Sequence, residues 1–523
     1  MTKCVSVDRD TWVANLVRHI VALCCSTTLA GCSLFAPNGD PPAMRLPTHY
    51  GAAPIDATSV VASGVAQRFQ ARKVPTSDWW KLYCSSSLNS LVDEGVRQSP
   101  TLGAIEKNLM AAREQLRAQI GSTMLPEIDA GSQTTRARSL PPIPQLEAEN
   151  SPYNTFAGQL QASYTVDVFG AARFANLALA KRVDASAWQL EAARQALALN
   201  IVTAVITIGD LHERIDTTER LVALSRQQAV EAAERHHLGA ISHDAVLRAQ
   251  QNLATLEANV PVLRQQLQTT RHALAVILGR TPDQAPADIP LSDLHLPEDV
   301  PVLVPSSLLL FRPDIQAADA TLKASAESVG AATAQMFPQI SLSASMGKAG
   351  YSWPALLSGV GAVWSVGASL TQPLFHGGAL YAQREAAMAH YDAAVENYRA
   401  TVLTAFQDVA DILTSLDADA SQLRAWNNVT AAALVSRNEA MERARLGALP
   451  LSAARSTDEE YQSARLNEIR SSAGRLADTA RLFHAMGALA MNTRTEHEEP
   501  NHKEVVFDDN AKYPMRKDFD VRR

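Results

Sequence analysis

One pattern occurs twice in this chain, about 208 residues apart, and each copy passes from a two-residue rhythm into a helical one. Tyr164-Thr-Val-Asp-Val-Phe-Gly170 opens a long alanine-rich run, and Leu370-Thr-Gln-Pro-Leu-Phe-His-Gly-Gly378 opens another. Arg235-His-His-Leu-Gly-Ala240 is answered by Arg443-Ala-Arg-Leu-Gly-Ala448, and Ile277-Leu-Gly279 by Ala485-Met-Gly487. Pro126 with Ile128 is answered by Pro338 with Ile340. The separations are 212 for Pro126 to Pro338, 206 for Phe169 to Phe375, and 208 for both glycine pairs. Duplication on this scale means two structurally equivalent halves, because the period is too long for a solenoid.

Each half supplies two strands. From Phe156 the even positions read Phe, Gly, Leu, Ala, Tyr, Val up to Val166, while Gln159, Gln161, Ser163 and Thr165 interleave. In the second half Ile340, Leu342, Ala344 and Met346 alternate with Ser341, Ser343, Ser345 and Gly347. Val360, Ala362, Trp364, Val366, Ala368 and Leu370 repeat the pattern, and a weaker copy lies near 126–138 with Asp129 and Gln133 on its polar side. Such alternation gives one apolar and one polar face. A half-buried soluble sheet and a membrane barrel share this rhythm. The strands are long for a globular sheet, and only four of them accompany a largely helical chain, which favours the barrel.

After each strand pair comes a proline-free helical run, 171–237 and 379–445, each 67 residues or roughly 100 Å long. Each ends near a glycine, Gly239 or Gly447, suited to a left-handed cap. Returning helices follow at 242–279, which Pro261 is expected to bend, and at 450–487. Shorter helices at 101–123, with Ser99 as cap and Pro100 at its first position, and at 314–336 bring each return to nearly the length of an uninterrupted helix. The simplest packing stacks a short and a returning helix end to end beside each long one.

The division that results is a signal segment 1–31, a lipidated tether 32–76, a first repeat 77–279 with its β-hairpin at 124–169, a proline-rich equatorial linker 280–312, a second repeat 313–490 with its β-hairpin at 336–375, and a charged, disordered tail 491–523. Basic Lys3, Arg9 and Arg18 precede an apolar stretch that ends in Leu29-Ala-Gly-Cys32, the form of a bacterial lipoprotein signal. Ser33 after the cysteine favours sorting to the outer membrane, by analogy with such lipoproteins. Acylation of Cys32 and removal of Cys4, Cys24 and Cys25 with the signal leave Cys84 alone, so no disulfide framework forms within one chain. A net charge of −7 argues against a nucleic-acid surface. No apolar run reaches the roughly 18 to 20 residues of a spanning helix. Glycine-serine elbows, H-E-x-x-H helices and phosphate loops are absent, so an enzyme is not expected, nor a cofactor.

Four strands cannot close a barrel, and in lipid each unpaired edge group costs several kcal/mol, so closure requires other copies. Two copies give eight strands with a side-chain-filled interior, whereas three give twelve and a lumen.

At this point the residues resemble a known family. Asp78-Trp-Trp-Lys-Leu82, Tyr164 to Gly170, Leu303-Val-Pro-Ser-Ser-Leu-Leu-Leu-Phe-Arg-Pro-Asp-Ile315, Met336-Phe-Pro-Gln-Ile-Ser-Leu342 and Leu370 to Gly378 are similar to segments of the outer-membrane factors of tripartite efflux and secretion systems, the TolC/OprM superfamily, in its lipoprotein, nodulation-type branch. The resemblance implies a mixed, mainly α fold: a homotrimer with a twelve-stranded barrel in the outer membrane and a coiled-coil tunnel of twelve helices in the periplasm. It also implies docking through a periplasmic adaptor to an inner-membrane pump of the resistance-nodulation-division type, which makes the chain a passive exit duct for small toxic compounds.

By the same resemblance, the turns at Leu238-Gly239 and Leu446-Gly447 are the adaptor-docking tips. Family channels close the tunnel with acids six and nine positions after the second tip glycine, where this chain has Ala453 and Ser456. The nearest acids are Asp458, Glu459 and Glu460, so Ser456 and Asp458 are the aperture candidates; a helix-face acid paired with Arg455 or Arg465 is the plainer reading of Asp458. His236, His237, His243 and Asp244 crowd the first tip, but adjacent His236 and His237 point to different sides of a helix, so a polar helix end is expected there and no metal. Two alternatives remain: the outer-membrane channel of an ABC-type secretion system, or a lipid-tethered coiled-coil scaffold without a pore.

Overall fold

In a computed structural model of the chain, the structure describes residues 35–45, 47–51, 58–71, 76–138, 152–303, 305–357 and 361–487. The signal segment, Cys32, the tail from 491 and nearly all of the proline-rich stretch 141–152 lie outside the described residues. The first half runs β1 (Arg68–Ala71), α1 (Ser86–Gln98), α2 (Pro100–Met124), β2 (Glu127–Ala137), β3 (Tyr153–Val166), α3 (Ala171–His237) and α4 (His243–Ile277). Between the halves lie β4 (Asp299–Val302) and α5 (Pro305–Phe311). The second half runs α6 (Pro313–Ala334), β5 (Gln339–Gly350), α7 (Trp353–Leu357), β6 (Ala362–Thr371), α8 (Ala379–Arg445) and α9 (Leu451–Met486).

β2, β3, β5 and β6 form one antiparallel sheet in that order. Its register sorts side chains by polarity. Ala162 stands between Ile128 and Ala344, and Ile340 between Val166 and Leu370, on one face. Gln161 stands between Asp129 and Ser345, and Ser343 between Ser163 and Gly367, on the other. A slip by one residue would exchange the faces, so the alternation itself pins the register. β2 and β6 are unpaired edges, and every residue of β6 is exposed.

Where strand gives way to helix, Asp167 accepts from the backbone N–H groups of Ala172 (3.2 Å) and Arg173 (2.8 Å). Those donors have no partner inside the helix, and a carboxylate also suits the positive end of α3. Gly170 adopts φ 80° to turn the chain into the helix, and Gly378 adopts φ 83° at the start of α8. Ser99 stands at the cap position of α2 with Pro100 behind it, yet its hydroxyl makes no capping bond. α4 continues through Pro261 as one helix.

The helices form an open arc. α2 and α4 lie against one flank of α3; α6 and α9 lie against the other and carry α8. The end-to-end stacking is visible at two equivalent glycines. A Cβ on Gly279 would stand 2.6 Å from the Gln98 carbonyl oxygen, just before α2, and one on Gly487 would stand 2.5 Å from the Phe311 carbonyl oxygen, just before α6. Arg280 clamps the first junction with two 2.7 Å bonds to Glu94, and Arg312 the second, donating to Ala485 O (3.2 Å), Asp314 (2.7 Å) and Asp408 (3.2 Å). The principal core gathers at this level. Trp79 stacks on Phe483 at 5.7 Å and donates to Gln195 (3.3 Å), while buried Tyr83 donates to Leu476 O (2.8 Å). One 18-residue window of α3 reaches a mean hydropathy of 1.4, apolar enough by length and composition to cross a membrane, while α3 packs against α2 and α4 on one flank and α6 and α9 on the other.

Two regions depart from the sequence reading. The linker 280–312 is not all loop: β4 pairs in parallel with β1, from Arg68 with Asp299 to Ala71 with Val302. The described parts of the tether are packed against the body. Phe35 meets Phe337 at 4.9 Å, Asn38 O accepts from Tyr391, Tyr50 donates to Leu303 O (2.8 Å), and Ser63 and Asn427 bond each other. The described pieces of this segment, a strap, thus lie between the base of the sheet and the level of the linker. Short polar-apolar stretches without a period reveal no such docking, because their partners lie hundreds of residues away.

Candidate functional site: the helix tips and the last helix

The two turns at the far end of the arc are built alike. At the first, Gly239 N–H donates to His236 O (2.8 Å) and Ala240 N–H to Arg235 O (2.8 Å), with φ 74° at the glycine. At the second, Gly447 N–H donates to Ala444 O (3.0 Å) and Ala448 N–H to Arg443 O (2.8 Å), again with φ 74°. This paired closure satisfies the last carbonyls of a helix and needs a left-handed residue, which glycine supplies without steric cost. A Cβ at either glycine would meet nothing within 4 Å. The adjoining leucines project outward, Leu238 at 70% exposure and Leu446 at 67%. Each tip is therefore a bare apolar side chain beside open backbone, which a partner can approach closely.

Around the tips, α9 is tied to both neighbours. Arg455 pairs with Glu231 of α3 at 2.8 Å. Arg437 of α8 pairs with Asp458 at 2.9 Å and lies over the Tyr461 ring, 5.4 Å from its centre. Asp458 is only 8% exposed and accepts a further bond from Gln462 (3.2 Å). The expected aperture acid is thus an interhelix ion pair, and its partner is neither Arg455 nor Arg465. The reason is rotational, since Asp458 falls on the α8-facing side of α9. Ser456, Glu460, Ser463 and Arg470 form an exposed stripe on another side, at spacings of three, four and seven residues. Glu459 faces Gln228, and burial holds its carboxyl above the usual carboxylate range. Of the three neighbouring acids only Glu460 is exposed, and helix phase relative to α8 is what separates it from Asp458 and Glu459.

Higher on α9, Arg475 is buried beneath the strap. It donates to Gln67 Oε1 (3.1 Å), Ser59 Oγ (3.0 Å) and Ala62 O (3.5 Å), and burial pulls its guanidinium below the usual arginine range. Among the described residues no set of three or more His, Cys, Asp or Glu converges as metal ligands.

A membrane-ready antiparallel sheet set on an arc of helices, with two exposed tip turns, defines the class of outer-membrane export ducts. The chain belongs to the outer membrane efflux protein family, whose model matches residues 91–280 and 304–488. It is similar to the pyoverdine export outer membrane protein OpmQ of Pseudomonas putida, 28% identical over 90% of this chain and 98% of that protein. It is also similar to the outer membrane protein OprJ of Pseudomonas aeruginosa, 29% identical over 82% of this chain and 85% of that one, and to nodulation protein T of Rhizobium leguminosarum, 25% identical over 76% and 82%. Among solved structures, the Campylobacter jejuni CmeC outer membrane channel superposes with a TM-score of 0.75 over 87% of this chain and 97% of that one, at 21% identity, a likeness of fold. The protein is an outer-membrane efflux component; its family carries out transport and not catalysis.

Proposed function

We propose that three copies of this chain close into one duct, a twelve-stranded barrel continuous with a helical tunnel, which serves as the passive exit of a tripartite pump. The observation that carries this reading is that sheet and arc are open on both sides. β2 and β6 are the unpaired edges of the sheet. In the arc, α2 and α4 at one end expose Met110, Ile120, Leu247 and Val262, while α8 at the other exposes Leu403, Val429 and Val435. Unpaired strand edges in lipid and bare apolar seams in water are both costly, and one rotational operation covers them together.

Within such a duct, the face of α9 turned away from the strap borders the lumen. Glu460 then supplies the free acid of the narrow end, next to Ser456, while the Asp458–Arg437 and Glu231–Arg455 pairs hold α9 to its neighbours. Leu238-Gly239 and Leu446-Gly447 receive the periplasmic adaptor, and a pump of the resistance-nodulation-division type drives export. Relatives named for pyoverdine export, toluene efflux and fusaric acid resistance support small compounds as cargo. Phe35, edge-on to Phe337, which itself stacks on Phe169 at the base of the sheet, supports an acyl anchor on Cys32 three residues upstream.

Planar-bilayer recording of the detergent-purified protein, with its mass measured in the same detergent, tests the reading. Trimers that pass stable unitary currents are expected. A single subunit without conductance would leave the pore-free scaffold as the answer.

A further inference from the structure

We propose that the first tip turn is a binding site for a transition-metal dication, clamped between His236 and His243. Sequence order sets His236 beside His237, which no single site can use together. The fold instead brings it to His243 across the turn, with ring centres 5.3 Å apart and planes inclined by 44°. Two imidazoles sharing one metal at roughly 2.0–2.1 Å from each nitrogen stand at about this separation.

The hydrogen bond on His236 supplies the second argument. Its Nδ1 lies 2.9 Å from the backbone carbonyl oxygen of Ile241. A carbonyl can only accept, so Nδ1 carries the proton, and in the neutral ring Nε2 keeps a bare lone pair. An imidazole whose one nitrogen donates to a backbone carbonyl while the other stays free is the usual state of a metal-ligating histidine, oriented and tautomerically fixed before the ion arrives. Both rings are exposed to solvent, so no apolar wall bars the ion.

The neighbouring groups do not complete a closed centre. Asp244 is engaged by Arg248 one turn further along α4. Two protein ligands, one fewer than in the usual open zinc centre, leave the remaining positions to water or to an incoming partner's side chain. The imidazole chemistry selects zinc, nickel or copper over magnesium and calcium. The second tip lacks the pair, having Ala444 and Leu451 at the places offset by 208 from His236 and His243, so one site per chain follows. A bound ion would join the last turn of α3 to the first turn of α4, next to Leu238 and Gly239. The proposal rests on the geometry of this turn and not on the pump or its cargo.

Zinc binding to the full-length protein, purified without a polyhistidine tag, is measured by isothermal titration against magnesium as control. One saturable zinc per chain is expected, with loss of that binding in H236Q and in H243Q and retention in H237Q. Thermal melting of all three variants shows whether the fold is kept; exposed side chains at a turn should leave it unchanged. Absence of saturable zinc uptake, equal loss in H237Q, or retention in H236Q or H243Q overturns the proposal.

Discussion

Arg475 on the last helix donates its Nε–H to Oε1 of Gln67, 408 positions earlier, at 3.1 Å, and both side chains are buried. Gln67 completes the contact by donating to Thr479 Oγ1 (3.0 Å) and to Pro297 O (3.3 Å). The strap is therefore fastened to α9 and to the linker through one amide.

Replacing Arg475 by methionine keeps the volume and removes the donors. Charged hydrogen bonds of this kind contribute about 1.5–3 kcal/mol, and here the orphaned acceptors stay buried. The expected result is faster amide hydrogen exchange across residues 58–68 with little change along α3. Unaltered exchange in that segment would contradict the fastening role.

Asp419 of α8 faces Asp478 of α9, with Arg475 and Arg481 as the cations nearby. Burial and then the Asp478 charge raise its carboxyl from 3.8 to about 7. Below pH 3.8 the folded and unfolded chains are both protonated at this group. Between 3.8 and 7 only the unfolded chain ionises, so stability falls as pH rises; above 7 the cost is fully present. Asp419→Asn should therefore raise the melting temperature at pH 8 and flatten its decline between pH 4 and 7. A variant whose melting profile follows the parent at every pH refutes the assignment.

Glycines with the same sign of φ should respond differently to alanine. At Gly239 and Gly447 a Cβ meets open space, leaving a backbone cost of roughly 1–2 kcal/mol. At Gly279 and Gly487 it meets a carbonyl oxygen at 2.6 and 2.5 Å, so the helix stacks must separate. Melting of the four single variants should show small losses for G239A and G447A and much larger ones for G279A and G487A. In cells, the double tip variant tests docking: full export by a stably folded G239A/G447A protein would exclude a close backbone approach there.

The two acids near the aperture make opposite predictions. Glu460→Gln should relieve block of the single-channel current by multivalent cations. Asp458→Asn should leave that block in place and instead raise conductance, by freeing Arg437 and loosening α9 from α8. Exchange of those two phenotypes would return the lumen role to Asp458.

Both 67-residue helices begin and end at the residues marked by the sequence, since Gly170, Gly378, Gly239 and Gly447 are local signals read without tertiary context. The strand faces were equally legible, because a period of two is a property of neighbouring residues. What escaped depends on distant partners. The β1–β4 pair joins four-residue stretches some 230 positions apart, and only Ser99 stands between the end of α1 and the start of α2. The partner of Asp458 could not be chosen among nearby arginines, since Arg437 belongs to the preceding helix. The meeting of His236 with His243 likewise needs the shape of the turn.

The strap has more contour than its route demands. The 24 residue steps from Phe35 to Ser59 could stretch to roughly 80 Å, at 3.3–3.6 Å each. The axial run from Phe337 down α6 and α9 to Arg475 is only about 50 Å, at 1.5 Å per helical residue. A pull at Phe35 would therefore be borne first by its contact with Phe337 and by the bonds of Asn38 to Tyr391 and Tyr50 to Leu303, and would reach the buried guanidinium only after those had parted.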